Sequence, residues 1–155
     1  MMQRDKNMLD LTVTQMAKED IPDIAQLERD NFSLPWSEKS LEEELTNPLA
    51  RFFTAKADSR TVGYIGAFNV CGEVSITNVA VSEEYRNKGI GNMLLKHLEN
   101  VSLSENAEFI TLEVRESNET AQSLYLKNGY EVVGKRKSFY EKPTEDAVLM
   151  TKFLK

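Results

Sequence analysis

The segment at residues 85–92, YRNKGIGN, constrains the fold of this chain most, because it joins two stretches of different hydrophobic periodicity. Before it, residues 73–81 alternate between apolar and polar side chains, as a β-strand does, and end in an apolar run. After it, side chains recur at the spacing of one helix face, at Ile90, Met93, Leu94, His97, Leu98 and Val101. The sequence therefore predicts a strand, a glycine-containing turn and an amphipathic helix in direct succession.

The two glycines of this segment, Gly89 and Gly91, lie where the predicted turn becomes the helix. Glycine lets the backbone approach a ligand closely, because no Cβ stands in the way. The first N–H groups of a helix have no intrahelical partner and lie at the positive end of its dipole. Arg86 and Lys88 add positive charge, and no acidic residue occurs from this segment up to Glu99. These features predict a binding site for a pyrophosphate group.

A purely structural interpretation of the same residues stays open, because a two-glycine turn before a helix is often only a tight turn. Two other phosphate-binding motifs do not fit. The P-loop requires Lys and then Ser or Thr directly after its second glycine, and Asn92 follows Gly91. The dinucleotide-binding fingerprint requires a third glycine at the position of Leu94.

The pattern Arg86-x-x-Gly89-x-Gly91, between a strand and a helix, resembles the acetyl-CoA motif of the GNAT superfamily of N-acetyltransferases. Other motifs are similar to its bacterial RimI type, which acetylates the N-terminal alanine of a small-subunit ribosomal protein. These motifs are Pro35-Trp36-Ser37, Leu112-Glu113-Val114-Arg115, Ser117-Asn118, Leu124-Tyr125, Gly129-Tyr130, Glu145-Asp146-Ala147 and Met150. The resemblance covers about residues 10–154. It implies an acetyl-CoA-dependent enzyme in which the acceptor amine attacks the thioester directly within a ternary complex.

The resemblance also implies which residues contact acetyl-CoA. They are Val79, Ala80, Val81, Arg86, Asn87, Lys88, Gly89, Ile90, Gly91, Asn92, Asn118 and Tyr125. In GNAT proteins the backbone at the first three positions pairs with the pantetheine arm like one more strand, and an N–H there polarises the thioester carbonyl. From the residues alone, the broken alternation at 79–81 indicates a bulge or splay, or simply an apolar core strand. Asn118 is equally suited to capping a helix.

Glu113 is the candidate general base. It lies within a strand predicted at residues 109–115, on the face opposite to the apolar side chains of that strand. A carboxylate buried in a core is costly, so Glu113 is expected either to face a cleft or to pair with Arg115 or another base. The resemblance implies the first alternative, because the RimI type carries its catalytic glutamate at this position of the motif.

Tyr125 is the candidate general acid. Its position on a helix face shared with Ala121 and Leu124 is also compatible with a packed aromatic residue. A phenol has a reference pKa of about 10 and a thiol one of about 8.5, so tyrosine can protonate a leaving thiolate and stay protonated itself near pH 7. The resemblance implies this role.

Two aromatic residues, Trp36 and Tyr140, are the candidate residues of the acceptor groove. The RimI type tends to carry two tyrosines at the second place, where this chain has Phe139-Tyr140. Residues 19–44 contain nine acidic and two basic side chains. Such a charge run is most often a solvated helix face, although it would also attract a basic ribosomal peptide to a neighbouring groove.

Composition indicates one domain over residues 1–155, with residues 1–9 as a loose tail. Cys71 is the single cysteine, which favours a reducing compartment. No apolar stretch approaches the roughly 18 residues of a membrane span. We therefore expect a cytoplasmic protein without membrane contact. The net charge of −6 argues against direct nucleic-acid binding, and no spacing of Cys, His and carboxylates suggests a metal. A monomer or weak dimer is expected.

The predicted order of elements is β-α-α-β-β-β-α-β-α-β-β, an α/β (α+β) mixed sheet with helices on both faces. Strands are predicted at residues 11–16, 51–57, 61–70, 73–81, 109–115, 130–135 and 147–153. Helices are predicted at residues 21–31, 37–45, 89–104 and 118–128. The resemblance implies the same architecture, the GNAT fold with about seven strands and about four helices.

Two rival functions remain compatible with the sequence. One is a GNAT enzyme that acetylates lysine side chains or small amines. The other is an acyl-CoA-binding sensor without turnover, against which Glu113 and Tyr125 argue.

Overall fold

Seven strands and four α-helices follow one another in the computed structural model, which describes residues 10–155. The strands are β1 (Leu11–Gln15), β2 (Ala50–Ala57), β3 (Arg60–Val70), β4 (Glu73–Val81), β5 (Phe109–Arg115), β6 (Glu131–Tyr140) and β7 (Glu145–Phe153). The helices are α1 (Ile21–Asn31), α2 (Glu38–Glu44), α3 (Ile90–Ser104) and α4 (Glu119–Lys127). The predicted order and fold class are confirmed. The tail expected at residues 1–9 lies outside the described residues.

All seven strands form one sheet in the order β1-β2-β3-β4-β5-β7-β6. Within residues 10–155, β4 and β5 are the parallel pair, and every other neighbouring pair is antiparallel. The parallel pairing is short, because it ends where Ser75 faces Thr111. Beyond these two residues β4 stays paired with β3, whereas β5 stays paired with β7. The middle of the sheet therefore opens toward the C-terminal ends of β4 and β5.

The helices cover the two faces of this sheet and create two apolar clusters. On one face, Leu94, Leu95 and Leu98 of α3 are completely buried against the sheet. On the other, Ile24 of α1 and Leu41 of α2 are completely buried over β2 and β3. Each fully buried side chain of this kind contributes roughly 1.5–3 kcal/mol from the hydrophobic effect. The two layers hold both sides of the opening in place.

A β-bulge changes which side chains of β4 face α3. Ile76 pairs with Ala67 and Asn78 with Gly66, so Thr77 is an extra residue in β4. Before the bulge, Ile76 belongs to the cluster under α3; after it, Val79 packs against that cluster instead. Asn78 therefore faces α1. A bulge is thus present in β4, but at Thr77 and not at residues 79–81, where the broken alternation had indicated it; Val79 and Val81 face one side of the sheet and Ala80 the other.

The ends of two helices and of one strand have particular causes. Gly129, directly after the C-cap residue of α4, has φ +89°, in the left-handed region that favours glycine. Asp20 directly precedes α1, but its side chain makes no capping bond to the helix; its carboxylate instead accepts from the N–H of Ala17. β6 continues to Tyr140 and not only to residue 135, because its polar second half pairs with β7 as an edge strand. No helix within residues 10–155 is long and apolar enough to span a membrane.

Candidate active site

The opening between β4 and β5 provides a strand edge for an extended ligand. On one side Val79, Ala80 and Val81 pair with β3, opposite Ile65, Tyr64 and Gly63. On their other side no strand among the described residues pairs with them. A strand edge presents unpaired N–H and C=O groups, which matches the amide groups of a pantetheine arm.

The start of α3 is open above its first glycine. Gly89 is the N-cap residue and has φ +80°, in the left-handed region that favours glycine. A Cβ built on Gly89 would meet no atom within 4 Å. No side chain caps this helix, and no acidic residue lies in its first turn. The unpaired N–H groups and the free space fit a pyrophosphate.

The second glycine of the motif has a different role. A Cβ built on Gly91 would lie 3.4 Å from Cδ2 of Leu124, so α3 and α4 approach closely at this point. Asn92 accepts a hydrogen bond from Nδ2 of Asn128 at 3.0 Å, which joins the same two helices. The start of α3 is thereby fixed beside the helix that carries Tyr125.

Two cations precede α3. Arg86 donates to Oδ1 of Asn31 at 2.7 Å, at the end of α1. Lys88 is exposed beside Asn87, which has φ +63°. Within residues 10–155 neither Arg86 nor Lys88 forms an ion pair. Their positive charge is therefore available to a phosphate group.

Glu113 lies on β5 and is paired with Arg136 of β6. The distance from Nε of Arg136 to Oε1 of Glu113 is 3.6 Å, and the glutamate side chain is 32% exposed. Arg115 is not the partner, because it pairs with Glu145 at 3.3 Å. The structure thus gives Glu113 both an ion pair at the sheet edge and access to solvent. It leaves both interpretations of this residue open.

Tyr125 is buried in α4, where it is 5% exposed and its ring packs edge-on against Tyr130 at 5.4 Å. Burial, and the neighbouring Tyr140, raise the pKa of the Tyr125 hydroxyl above its usual value. Among the described residues this hydroxyl has no hydrogen-bond partner. A phenol in this state keeps its proton and can donate it to a ligand.

Tyr140 interacts electrostatically with both candidate catalytic residues. It lies under Arg115, with the guanidinium 4.5 Å from its ring centre. Burial and the charge of Glu113 raise the pKa of Tyr140 to about 12. Tyr140 in turn contributes, after burial, to the raised pKa of Tyr125.

Asn118 caps α4, since its Oδ1 accepts from the N–H of Ala121 at 3.0 Å. The capping interpretation is therefore confirmed. Its Nδ2 donates to no other described residue, so a contact with acetyl-CoA is still chemically possible.

Trp36 lies on the α1 side of the sheet, with its ring 5.7 Å from Phe52. We call the shallow depression beside it the Trp36 groove, lined by Pro35, Trp36, Ser37, Ser40, Glu43 and Glu44. Of the nine acidic residues in this region, Asp20 and Glu28 are buried and the others are at least partly exposed. Most of the charge run is thus a solvated surface, and two of its members border the groove.

Sequence reasoning missed a buried polar cluster formed by Glu28, Tyr64 and Asn78. Glu28 is completely buried. Its Oε1 accepts from the N–H of Trp36 at 2.8 Å, and its Oε2 accepts from the hydroxyl of Tyr64 and from Nδ2 of Asn78 at 2.9 Å. Burial raises the pKa of Glu28, although these three donors oppose the shift. The available signal was its spacing from Ile24, which places an acid on the apolar face of α1.

No cluster of His, Cys, Asp or Glu that could hold a metal ion occurs within residues 10–155. His97, on the apolar face of α3, packs its ring edge-on against Phe53 at 4.6 Å. His97 is thus a packed side chain of this helix face.

Comparison with known proteins gives a consistent result. The profile described as Acetyltransferase (GNAT) family matches residues 21–130. A Bacillus subtilis protein, provisionally named a ribosomal protein bS18-alanine N-acetyltransferase, is 36% identical over 89% of this chain and 92% of its own length. The Salmonella typhimurium ribosomal protein bS18-alanine N-acetyltransferase is 32% identical over 90% of this chain and 95% of its own length. The crystal structure of the ribosomal-protein-S18-alanine N-acetyltransferase from Escherichia coli superposes with a TM-score of 0.86, at 26% identity over 93% and 94% of the two chains.

Proposed function

This chain belongs to the GNAT acetyltransferase family, and we propose that it acetylates the N-terminal alanine of a small-subunit ribosomal protein, with acetyl-CoA as the donor. The observation that carries this choice of acceptor is the similarity to the bS18-alanine N-acetyltransferases over about nine-tenths of both chains. A relative that shared only the acetyl-CoA motif would be similar over a much shorter region. The similarity here includes the regions that border the Trp36 groove.

Acetyl-CoA would be held at two places. The N–H groups at the start of α3, with Arg86 and Lys88, would bind its phosphates. The free edge of β4 at Val79–Val81 would bind its pantetheine amides, and an N–H there would polarise the thioester carbonyl. Asn118 would add a side-chain contact. Bound in this way, the donor supplies an activated acetyl group beside Glu113 and Tyr125.

Glu113 would take a proton from the acceptor amine, directly or through a water molecule. As the new N–C bond forms and the C–S bond breaks, Tyr125 would donate its proton to the departing sulfur. An α-amine has a pKa of about 7.7–8.0, against about 10.4 for lysine. Near pH 7 an N-terminal acceptor therefore needs only a modest base, which suits a single glutamate.

Burial of Tyr125 supports its proposed role. A tyrosine that ionised easily could not serve as an acid at neutral pH. The raised pKa of Tyr125 keeps the phenol neutral, and its hydroxyl has no described hydrogen-bond partner that would compete with the sulfur.

The Trp36 groove and Tyr140 would contact the acceptor peptide. Glu43 and Glu44 place negative charge at the groove. A basic peptide would be attracted to this surface, more strongly at low than at high ionic strength.

An acetylation screen tests the proposal. Hexapeptides with different N-terminal residues, free lysine, lysine-containing peptides with blocked N-termini, and polyamines are incubated with the protein and acetyl-CoA, and the products are identified by mass spectrometry. We expect the alanyl peptide from the N-terminus of bS18 to be acetylated most efficiently, on its α-amine. Preferred acetylation of lysine or polyamines would instead establish the first rival function. Tight CoA binding with no acetylated product would establish a sensor.

A further inference from the structure

The buried cluster of Glu28, Tyr64 and Asn78 has only one arrangement of hydrogen bonds. The N–H of Trp36 is a backbone donor and cannot be reversed, so Oε1 of Glu28 must accept. Tyr64 donates its single hydroxyl proton to Oε2 of Glu28. The same hydroxyl can then only accept from Nδ2 of Asn78, at 3.4 Å. With three donors around it, Glu28 satisfies all of them only as the carboxylate.

This arrangement fixes the direction of the Asn78 side chain. Its amide nitrogen Nδ2 donates to Oε2 of Glu28 at 2.9 Å, and the hydroxyl of Tyr64 lies beside the same N–H at 3.4 Å. A carboxylate cannot donate, so the amide group of Asn78 cannot be turned around. Its Oδ1 must therefore point away from the cluster. Within residues 10–155, Oδ1 of Asn78 accepts no hydrogen bond, although a partly buried amide oxygen ordinarily has a partner.

The position of Asn78 indicates what its Oδ1 can bind. It directly precedes Val79 on the part of β4 that has separated from β5. The bulge at Thr77 places its side chain on the sheet face covered by α1. Glu113 lies on the same face, because its neighbours Leu112 and Val114 belong to the cluster under α3. An acceptor amine that approaches both the thioester and Glu113 must come from this face.

We propose that Asn78 binds the acceptor α-amine through Oδ1, and that Glu28 is the positioning residue that keeps this oxygen directed toward the amine. The inference rests on the proposed function above. A neutral primary amine that attacks a thioester carries two N–H groups, and each of them needs an acceptor. If Glu113 takes a proton from one and Asn78 accepts a hydrogen bond from the other, the lone pair is held in one direction. An amide oxygen suits this purpose because, unlike a second carboxylate, it does not favour the unreactive ammonium form.

Glu28 links this amine contact to the Trp36 groove. One of its oxygens holds the backbone of Trp36, and the other orients Asn78. A single carboxylate thus sets the relative position of the peptide groove and the amine-binding oxygen.

The first experiment compares two ligands. One is the alanyl hexapeptide from the N-terminus of bS18, and the other is the same peptide with a propanoyl group in place of alanyl, which lacks only the amine. Binding of each to the CoA complex is measured for the wild type and for Asn78→Ala, at a pH above the α-amine pKa of about 8. We expect Asn78→Ala to weaken binding of the alanyl peptide roughly fivefold to tenfold and to leave binding of the propanoyl peptide nearly unchanged. Equal weakening of both peptides would overturn the inference.

The second experiment tests the positioning role. In Glu28→Gln, the amide oxygen must still accept from Trp36, so the amide nitrogen faces Tyr64 and Asn78. Asn78 must then turn and present its NH₂ group to the amine. We expect the KM for the alanyl peptide to rise at least about tenfold with an unchanged acetyl-CoA dissociation constant, and Asn78→Ala to add little in the Glu28→Gln background.

The matched control is Glu99→Gln, which neutralises a different buried glutamate on α3 and should leave the KM for the peptide unchanged. If folded Glu28→Gln keeps the wild-type KM, the positioning role is wrong. If Glu28→Gln does not fold, the two-ligand comparison with Asn78→Ala still decides the amine contact.

The outcomes also separate this inference from the proposed function. If the wild type does not acetylate the alanyl peptide, both fail. If the wild type does so and Asn78→Ala weakens both ligands equally, only the inference fails.

Discussion

Ser75 of β4 and Thr111 of β5 are the last paired residues of two parallel strands that then separate. Glu113 follows two positions after Thr111, and the free edge of β4 begins just after Ser75. The candidate base and the candidate donor-binding edge are therefore placed by the same break in the sheet.

Gly89→Val is expected to remove acetyl-CoA binding. The residue has φ +80°, which costs a branched side chain more than 1 kcal/mol, and the new side chain would occupy the space above the helix start. Calorimetry should show affinity at least about 100-fold weaker, since the phosphates lose their site. Gly134→Ala is the matched control, because a Cβ there would make an ordinary contact of 3.9 Å with Leu149. Unchanged affinity of folded Gly89→Val would contradict the pyrophosphate site.

Glu113→Gln is expected to lower turnover roughly 10²–10³-fold with little change in acetyl-CoA affinity, because it preserves shape and removes the base. Arg136→Gln breaks the same ion pair at 3.6 Å from the other side, and we expect it to retain turnover within about threefold. Steady-state kinetics of both variants decide between the two interpretations. A Glu113→Gln activity within about twofold of the wild type would make Glu113 an ion-pair residue only.

Tyr125→Phe is expected to lower turnover on the order of 10²-fold and to leave the acetyl-CoA dissociation constant nearly unchanged, because only the proton donor is lost. The defect should shrink for an acyl donor with a more acidic thiol, which needs less protonation. Tyr130→Phe is the control, since that buried hydroxyl has no hydrogen-bond partner among the described residues and its loss should be neutral or stabilising. A defect independent of the thiol pKa would exclude Tyr125 as the acid.

The stability of the fold is expected to depend on pH through Glu28. Burial raises its folded-state pKa above the ordinary value of 4.5, so the folded state holds the proton more tightly than the unfolded chain. The contribution of Glu28 to the free energy of unfolding is then fully present below pH 4.5 and is lost as the pH rises through the raised pKa. The pKa of Glu105 is lowered by its hydrogen bond with Arg51, so its contribution to the free energy of unfolding is instead lost as the pH falls.

The quantity that tests this is the difference in the free energy of unfolding between the wild type and Glu28→Gln. Urea unfolding of the wild type and Glu28→Gln is compared at several pH values from 4.5 to 8. We expect Glu28→Gln to gain stability relative to the wild type as the pH rises, because the amide has no charge to bury. A constant difference between the two proteins over this range would show that the carboxyl has an ordinary pKa.

Much of the fold followed from the sequence. The change of period at residues 85–92 predicted β4, the glycine turn and α3, and alternation in β5 placed Glu113 opposite Leu112 and Val114. These predictions rest on local rules, since side-chain periodicity and the conformational freedom of glycine are properties of neighbouring residues. The polar second half of β6 was missed, because only its pairing with β7 makes it a strand.

The sequence by itself determined the elements, their order and the chemical groups that this site offers. Only the tertiary structure decided which groups meet. Glu113 faces Arg136, which lies on β6, and not its sequence neighbour Arg115. Glu28 counts in the sequence as one acid among nine, yet it is buried against Tyr64 and Asn78, fifty residues away from the latter. Because a hydrogen bond depends on distance and direction and not on separation along the chain, such partners follow from the packing of α1 onto β3 and β4.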